Sequence, residues 1–393
     1  MATSDHLKDA RIVVVGAGAI GIALSYRLAQ AGAQVTTVER RFPGSGTTGS
    51  SFAYVNGTDK PPRAYHRLNV LSIRDHEDLV DEIGGDWLHV TGSLHWADAR
   101  DGGRAAGLGQ VMRRLLDWGM RVDRLTPEQA MRELEPDAWI DPEAVAAVFL
   151  VHRAGWLDPM ALAHGTMSAA AERYGARLVR GEVVALRSGS STVEAAILGD
   201  GRELAADVVV NAAGPDAGRV AALAGVELPL ERTPGLLIVA APAPARLRHV
   251  IYAPGVNLRP DGGARVMVQR ETLDSHAVEG SPLALDDPLV HEGMERARVV
   301  VPGLAHVEVE AVRLGVRPMP KDGLPLVGFD PSVTNLYHVV THSGVTLAAR
   351  LALLVTEKLT GGDTAPLEAY RPARLAPGDG LAARMPPAFG SSD

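Results

Sequence analysis

The apolar positions near the start of the chain run without a break: Ile12, Val13, Val14 and Val15, closed by Gly16. An unbroken β-branched run predicts a parallel strand covered on both faces. Helical spacing follows over 20–31, and a second strand is expected at 34–39. A long helix is predicted over 63–83, where Leu68, Leu71, Leu79 and Ile83 recur at helical intervals. Residues 86–96 read as a strand, 104–118 as a helix, and 126–129 as the opening of a short helix. A strand over 144–151 precedes Gly155-Trp156-Leu157-Asp158-Pro159, where Asp158 caps a helix and Pro159 is its first residue. Gly175 ends that helix. Strands are expected at 177–186 and 193–198 with a hairpin tip at 189–191, and a buried strand over 207–214 that ends in small residues. From 234 to 316 the pattern is strands and Pro/Gly turns, interrupted by one helix over 288–300. A last buried strand (336–340) leads to a last helix (346–359) stopped by Gly361-Gly362. Residues 1–9 and the Pro-, Ala- and Arg-rich remainder read as surface tails. Strand–helix pieces of α/β type thus stand at the start, middle and end, with β-rich stretches between them. That order predicts two domains, each discontinuous in sequence.

Length supports the same division, because 393 residues exceed one ordinary core. A net charge of −8 argues against nucleic acid or an anionic membrane surface as partner. The chain has no cysteine, which excludes disulfides, thiol catalysis, cysteine-ligated metals and a cofactor tethered by a cysteine thioether. No apolar run reaches the length of a membrane span and no signal peptide is evident, so a cytoplasmic location is expected.

The first strand turns into its helix through Gly16, Gly18 and Gly21. The first glycine permits the tight turn, the second close approach to a pyrophosphate, and the third helix packing on the strand. Glu39 closes the second strand at the spacing of the acid that binds a ribose diol, and its charge argues against a 2′-phosphate. The loop over 40–51 is long and rich in Gly, Ser and Thr, a composition and position suited to function. The histidines are not spaced as metal ligands, and there is neither a nucleophile elbow nor a phosphate-loop lysine.

Five blocks occur in one order: 16–21, 155–159, Asn211-Ala212-Ala213-Gly214-Pro215, 316–328 and 342–348. Together they resemble the D-amino-acid-oxidase-type flavoprotein superfamily, the group of glycine oxidase, sarcosine oxidase and D-amino-acid dehydrogenase. Arg317-Pro318-Met319-Pro320-Lys321-Asp322-Gly323-Leu324-Pro325 is the most specific block. The resemblance implies an α/β and α+β chain. A Rossmann-like FAD-binding domain (1–83, 152–222 and 318–375) would join an antiparallel-sheet substrate domain (84–151 and 223–317), with 376–393 as a tail.

The resemblance also implies the site. Gly16, Gly18, Ala19, Ile20 and Gly21 would cradle the pyrophosphate, and Glu39 the adenosine ribose. Arg40 or Arg41 would reach the adenine or phosphates. Thr47, Thr48 and Ser51 would line the ribityl chain, and the Val183 backbone would hold adenine. Ala213 and Gly214 would let the chain pass close to the cofactor. The amides of Gly344, Val345, Thr346 and Leu347 would face a flavin carbonyl. Arg317 would pair with a substrate carboxylate; the alternative is an arginine bound to an acid such as Asp322. His342 would face the flavin, and Tyr54, Tyr252 and Asn257, with His95 and His249, would line the substrate pocket. Asn257 stands where relatives often carry tyrosine, and Gln269-Arg270-Glu271-Thr272 replaces a glycine-bearing stretch.

The expected activity is oxidation of the amine of an amino acid or N-substituted amino acid. Non-covalent FAD takes a hydride at N5, and oxygen or a redox carrier is the final acceptor. Alternatives are a 2-hydroxy acid oxidase using His342 as base, an NAD-dependent dehydrogenase, and a non-catalytic flavin-binding subunit. The substrate, its stereochemistry and the oligomeric state stay open.

Overall fold

A computed structural model describes residues 7–270, 274–281, 283–362 and 364–375. Its first sheet orders the strands Leu326–Phe329, Leu336–Val340, Val208–Asn211, Arg11–Val15, Gln34–Glu39 and Arg177–Arg180 side by side. All neighbours are parallel except the first pair. The unbroken apolar run of the first strand has its reason here. Ile12 and Val14 enter one core, beneath the helices Ala19–Gln30, Pro159–Tyr174 and Gly344–Leu359, while Val13 and Val15 enter another. The second core lies against the three-stranded sheet of Val183–Ser188, Val193–Leu198 and Glu203–Ala205.

An eight-stranded sheet carries the β-rich stretches. Its longest pair is Leu230–Ala240 against Val309–Pro320, in antiparallel register with Thr233 opposite Arg317. Val250–Ala253 runs parallel to Ser93–His95; the other pairings are antiparallel. The two sheets are tied through the glycine-rich loop. Thr47 Oγ1 donates to the Val316 carbonyl. The fully buried Arg259 donates from Nε to the Phe52 carbonyl at 2.5 Å, with its guanidinium over the Phe52 and Trp156 rings.

Several elements form as the pattern predicts. The helix Arg63–Ile83 ends on Gly84, and Asp158 caps Pro159–Tyr174 by accepting from the amides of Met160 and Ala161. Thr126 and Gln129 form a reciprocal capping box. Others differ. The strand expected at 86–96 is two, Leu88–His89 and Ser93–His95, which join different sheets. The break falls at Gly92 (φ +93°), where a side chain would strike Leu150 at 3.0 Å. The strand expected at 177–186 likewise splits at Gly181, whose amide is drawn to the Glu39 carbonyl. The strand expected at 144–151 is confined to Val148–Val151.

The tails also need correction. Leu7 is 3% exposed and belongs to the core around the first strand. Residues 365–375 are not loose surface chain: Leu367 and Tyr370 are buried, and Arg374 grips Asp322 with Nε–Oδ2 at 2.7 Å and Nη2–Oδ1 at 3.0 Å. Residues 1–6 and 376–393, together with Glu271 and Thr272, lie outside the described residues. No helix among the described residues is long and apolar enough to cross a membrane.

Asp322 and Arg374 are both nearly closed to solvent. Removing one partner strands the other charge, which costs about 3–5 kcal/mol. Arg374→Met is therefore expected to lower stability by that amount in denaturant unfolding, and Asp322→Asn with Arg374→Met to recover part of it. An Arg374→Met protein as stable as the wild type contradicts the latch.

Candidate active site

The site begins at the turn between first strand and first helix. Gly16 has φ +101°, and a side chain there would stand 2.7 Å from the Ala212 carbonyl oxygen. A Cβ on Gly21 would lie 1.9 Å from the Gly16 carbonyl oxygen, so only glycine lets the helix sit this close to the turn. Gly18 is the extended residue before the helix and offers no side-chain cap. Thr48 Oγ1 instead accepts from the Ala19 amide at 3.0 Å. Glu39 closes the other wall, accepting from the amides of Ala17 and Arg41, each at 3.0 Å.

Between these groups lies a cavity of about 130 Å³, lined by Gly16, Glu39, Arg41, Val183 and Ala213. Arg40 also borders it and forms an ion pair with Asp216 at 2.7 Å. Arg41 donates to the Ser45 carbonyl at 2.7 Å. A larger cavity of about 510 Å³ shares the walls Gly18, Thr47, Thr48 and Gly214 with the first. The two are compartments of one trench that runs from Glu39 to the long strand pair.

Ile20, Ser51, Gly344, Val345 and Thr346 line the larger compartment. Ser51 Oγ accepts from the Ala53 amide at 3.0 Å. Leu347 departs from expectation: it is fully buried behind the wall, and its amide donates to the Ser343 carbonyl at 2.9 Å, leaving it no part in an anion cradle. His249 also lies elsewhere, donating from its amide and bonding through Nδ1 to the buried Glu135.

Arg317, His342, Tyr54, Tyr252, Asn257 and His95 do meet around this compartment. Gly235, across the strand pair, makes room for the guanidinium: a Cβ there would stand 3.2 Å from Arg317 Cζ. Arg317 Nη2 donates to the Pro234 carbonyl at 2.9 Å and to Asp274 at 2.7 Å, and Nε is buried with no partner among the described residues. Its acid is thus Asp274, whereas Asp322 belongs to Arg374. Burial pushes the Asp274 carboxyl up, and the nearby guanidinium opposes that. The His95 ring stacks on Tyr252 at 4.9 Å, and the Tyr54 hydroxyl meets Ser93 Oγ at 2.8 Å and His95 Nε2 at 3.3 Å. Asn257 donates to Gln269 Oε1 at 2.5 Å. Burial first, then the charges of Lys60 and Arg317, push His342 down to about 3, so its imidazole is neutral.

A glycine cradle, a strand-end carboxylate and an extended trench fit a dinucleotide. The family model described as FAD dependent oxidoreductase matches residues 11–358. The chain belongs to that family. This flavoprotein is 27% identical to the glycine oxidase of Geobacillus kaustophilus over 92% of its own length and 96% of the relative's. It is 26% identical to one component of the opine oxidase of Agrobacterium tumefaciens, covering 89% and 93% of the two chains. Among solved structures, the Geobacillus kaustophilus glycine oxidase superposes with a TM-score of 0.81 at 26% identity, covering 92% and 98%. Iminodiacetate oxidase from Chelativorans sp. BNC1 superposes at 0.77 with 25% identity, covering 92% and 99%. The flavoprotein is an FAD-dependent oxidoreductase of the glycine oxidase and amino-acid oxidase type.

Among the wall residues to which sequence reasoning gave no role are Asp274, Lys60 and Ser343. Asp274 stands 43 positions before its arginine, beyond any local pattern. No local pattern marks Lys60, and Ser343 sits inside the 342–348 block without a role of its own.

Buried neutral histidines also give the flavoprotein a pH signature. Burial lowers His76 to about 4 and His95 and His342 to about 3. The unfolded chain therefore takes up protons near pH 6.5 that the fold refuses. The stabilisation is complete above that value and is lost as pH falls toward 4, at up to about 1.4 kcal/mol per pH unit for each histidine. Melting of the FAD-loaded protein is expected to drop from pH 6.5 to 4.5. His76→Gln, which can still donate to the Val345 carbonyl, should flatten that slope by one histidine's share. An unchanged slope contradicts the assignment.

Proposed function

We propose that this flavoprotein oxidises the amine of an amino acid or N-substituted amino acid. The observation that carries the reading is Arg317, whose guanidinium faces the larger compartment in a space kept open by Gly235. A planar fork in a half-closed cavity is suited to a carboxylate. Relatives named glycine oxidase and iminodiacetate oxidase support an amine-bearing acid as substrate.

In this reading residues 1–83, 152–222 and 318–375 hold the cofactor, and 84–151 and 223–317 roof the substrate. Glu39 receives the adenosine ribose, the Gly16–Gly21 turn and the Thr48 region receive the pyrophosphate, and FAD is held without a covalent bond. Bound FAD supplies the two-electron acceptor. Arg317 orients the substrate through its carboxylate, and Asp274 fixes the fork from behind. The Tyr54, His95 and Tyr252 cluster closes the roof and keeps out water. The amine enters deprotonated, and its lone pair forms the C=N bond as the Cα–H bond breaks. Water then hydrolyses the imine. Oxidation of a 2-hydroxy acid needs a base for the hydroxyl proton, and an imidazole pushed down to about 3 is a poor one.

Glu39→Gln is expected to weaken FAD by about 1–3 kcal/mol, the loss of a charge-assisted acceptor. Titration of the apoprotein measures this, and unchanged affinity moves the ribose contact elsewhere. Arg317→Leu removes one side of a desolvated ion pair, worth about 2–5 kcal/mol of binding, or on the order of 30- to several-thousand-fold in kcat/KM. Arg317→Lys should recover part of that. Steady-state kinetics on an amino acid and on its decarboxylated amine provide the check. If both substrates suffer equally, Arg317 does not read the carboxylate.

A further inference from the structure

Among the described residues, the larger compartment is walled by four cations: Lys60, Arg104, Arg270 and Arg317. Three of them have an acid. Arg104 pairs with Asp101 at 3.4 Å, Arg270 with Glu292 at 2.7 Å and Arg317 with Asp274 at 2.7 Å. The remaining acids of the wall are also engaged, Asp59 by Arg114 and Asp98 by Arg100. Lys60 is different. Its Nζ donates to Ser343 Oγ at 3.1 Å, and among the described residues it makes no ion pair. Among the described residues, Lys60 is thus the wall cation that has no acidic partner.

Ser343 adds a directed donor. Its Oγ accepts from both Lys60 Nζ and the Tyr65 hydroxyl, the latter at 2.9 Å. A hydroxyl has two acceptor lone pairs and one hydrogen. With both lone pairs taken, the Ser343 hydrogen is left to donate, and its residue lines the same compartment. Ser343 makes no capping bond to the helix that follows it. Lys60 and Arg317 both line the larger compartment, with His342 in the same wall.

We infer that Lys60 and Ser343 form a second anion subsite, and that the substrate is a secondary amine whose N-substituent carries its own carboxylate. One carboxylate engages Arg317 and the other engages Lys60 and Ser343. This rests on the reading of Arg317 given above and narrows it to N-(carboxyalkyl) amino acids. A monocarboxylate held by Arg317 leaves Lys60 without a counter-charge in a partly desolvated wall, which weakens its binding relative to a dicarboxylate.

Binding can be measured without turnover by replacing the amine nitrogen with sulfur. The probes are thiodiacetate, with two carboxylates, and methylthioacetate, with one. Each is titrated into the FAD-loaded full chain, and flavin absorbance reports binding. The wild type is expected to bind thiodiacetate at least about tenfold tighter than methylthioacetate. Lys60→Met should bring that ratio close to one, and Lys60→Arg should keep most of it. Equal affinities in the wild type, or a ratio that survives Lys60→Met, overturn the subsite. Arg317→Leu tests the underlying reading separately: if methylthioacetate binds that variant as it binds the wild type, the carboxylate role of Arg317 is wrong whatever Lys60 does.

Discussion

The closeness of the first helix to the turn that feeds it governs the rest of the molecule. A Cβ on Gly21 would stand 1.9 Å from the Gly16 carbonyl oxygen, well inside any real contact. With glycine at both positions, the helix drops onto the strand. The same turn places the Ala17 amide on the Glu39 carboxylate and the Ala19 amide on Thr48. Strand end, helix start and glycine-rich loop are thereby locked to one another. The loop then carries the constraint outward, because Thr47 bonds the Val316 carbonyl next to Arg317. Packing at one glycine is thus connected to the placement of the guanidinium at the far end of the trench.

Charge organises that far end. Arg317 is steadied by Asp274 and by a backbone carbonyl, yet keeps other donors on its fork. Burial first, then the charges of Lys60 and Arg317, hold the His342 imidazole well below its ordinary range. Tyr54, His95 and Tyr252 pack on one another in the wall of the same compartment.

Much of this was legible in the sequence because the signals are local. An apolar run, three glycines and an acid at fixed spacing identify the cofactor end, and the Asp158-Pro159 pair marks a helix start. The fold class and the FAD family followed from blocks in a fixed order. Two strands were misread because Gly92 and Gly181 let one extended run serve two sheets, and hydrophobic patterning does not show which sheet a residue joins. Asp322 looked like a partner for Arg317 because it is near in sequence, but it is held by Arg374, which is 52 positions away. The last residues looked like a tail because their composition is polar and proline-rich, yet Leu367 and Tyr370 fill a core that the preceding strands leave open. Pairings of this kind are set by tertiary contact and have no signature along the chain.

The central claim is that the trench brings the amine of a small acid against FAD. Anaerobic mixing of the FAD-loaded protein with a panel of amino acids, N-alkyl and N-(carboxyalkyl) amino acids and the matching 2-hydroxy acids tests it directly. The account predicts loss of the oxidised flavin absorbance with amines, with the carbonyl product of imine hydrolysis formed in equal amount, and no bleaching by the hydroxy acids. Bleaching by the hydroxy acids in place of the amines would contradict it, as would a flavin that no amine in the panel reduces.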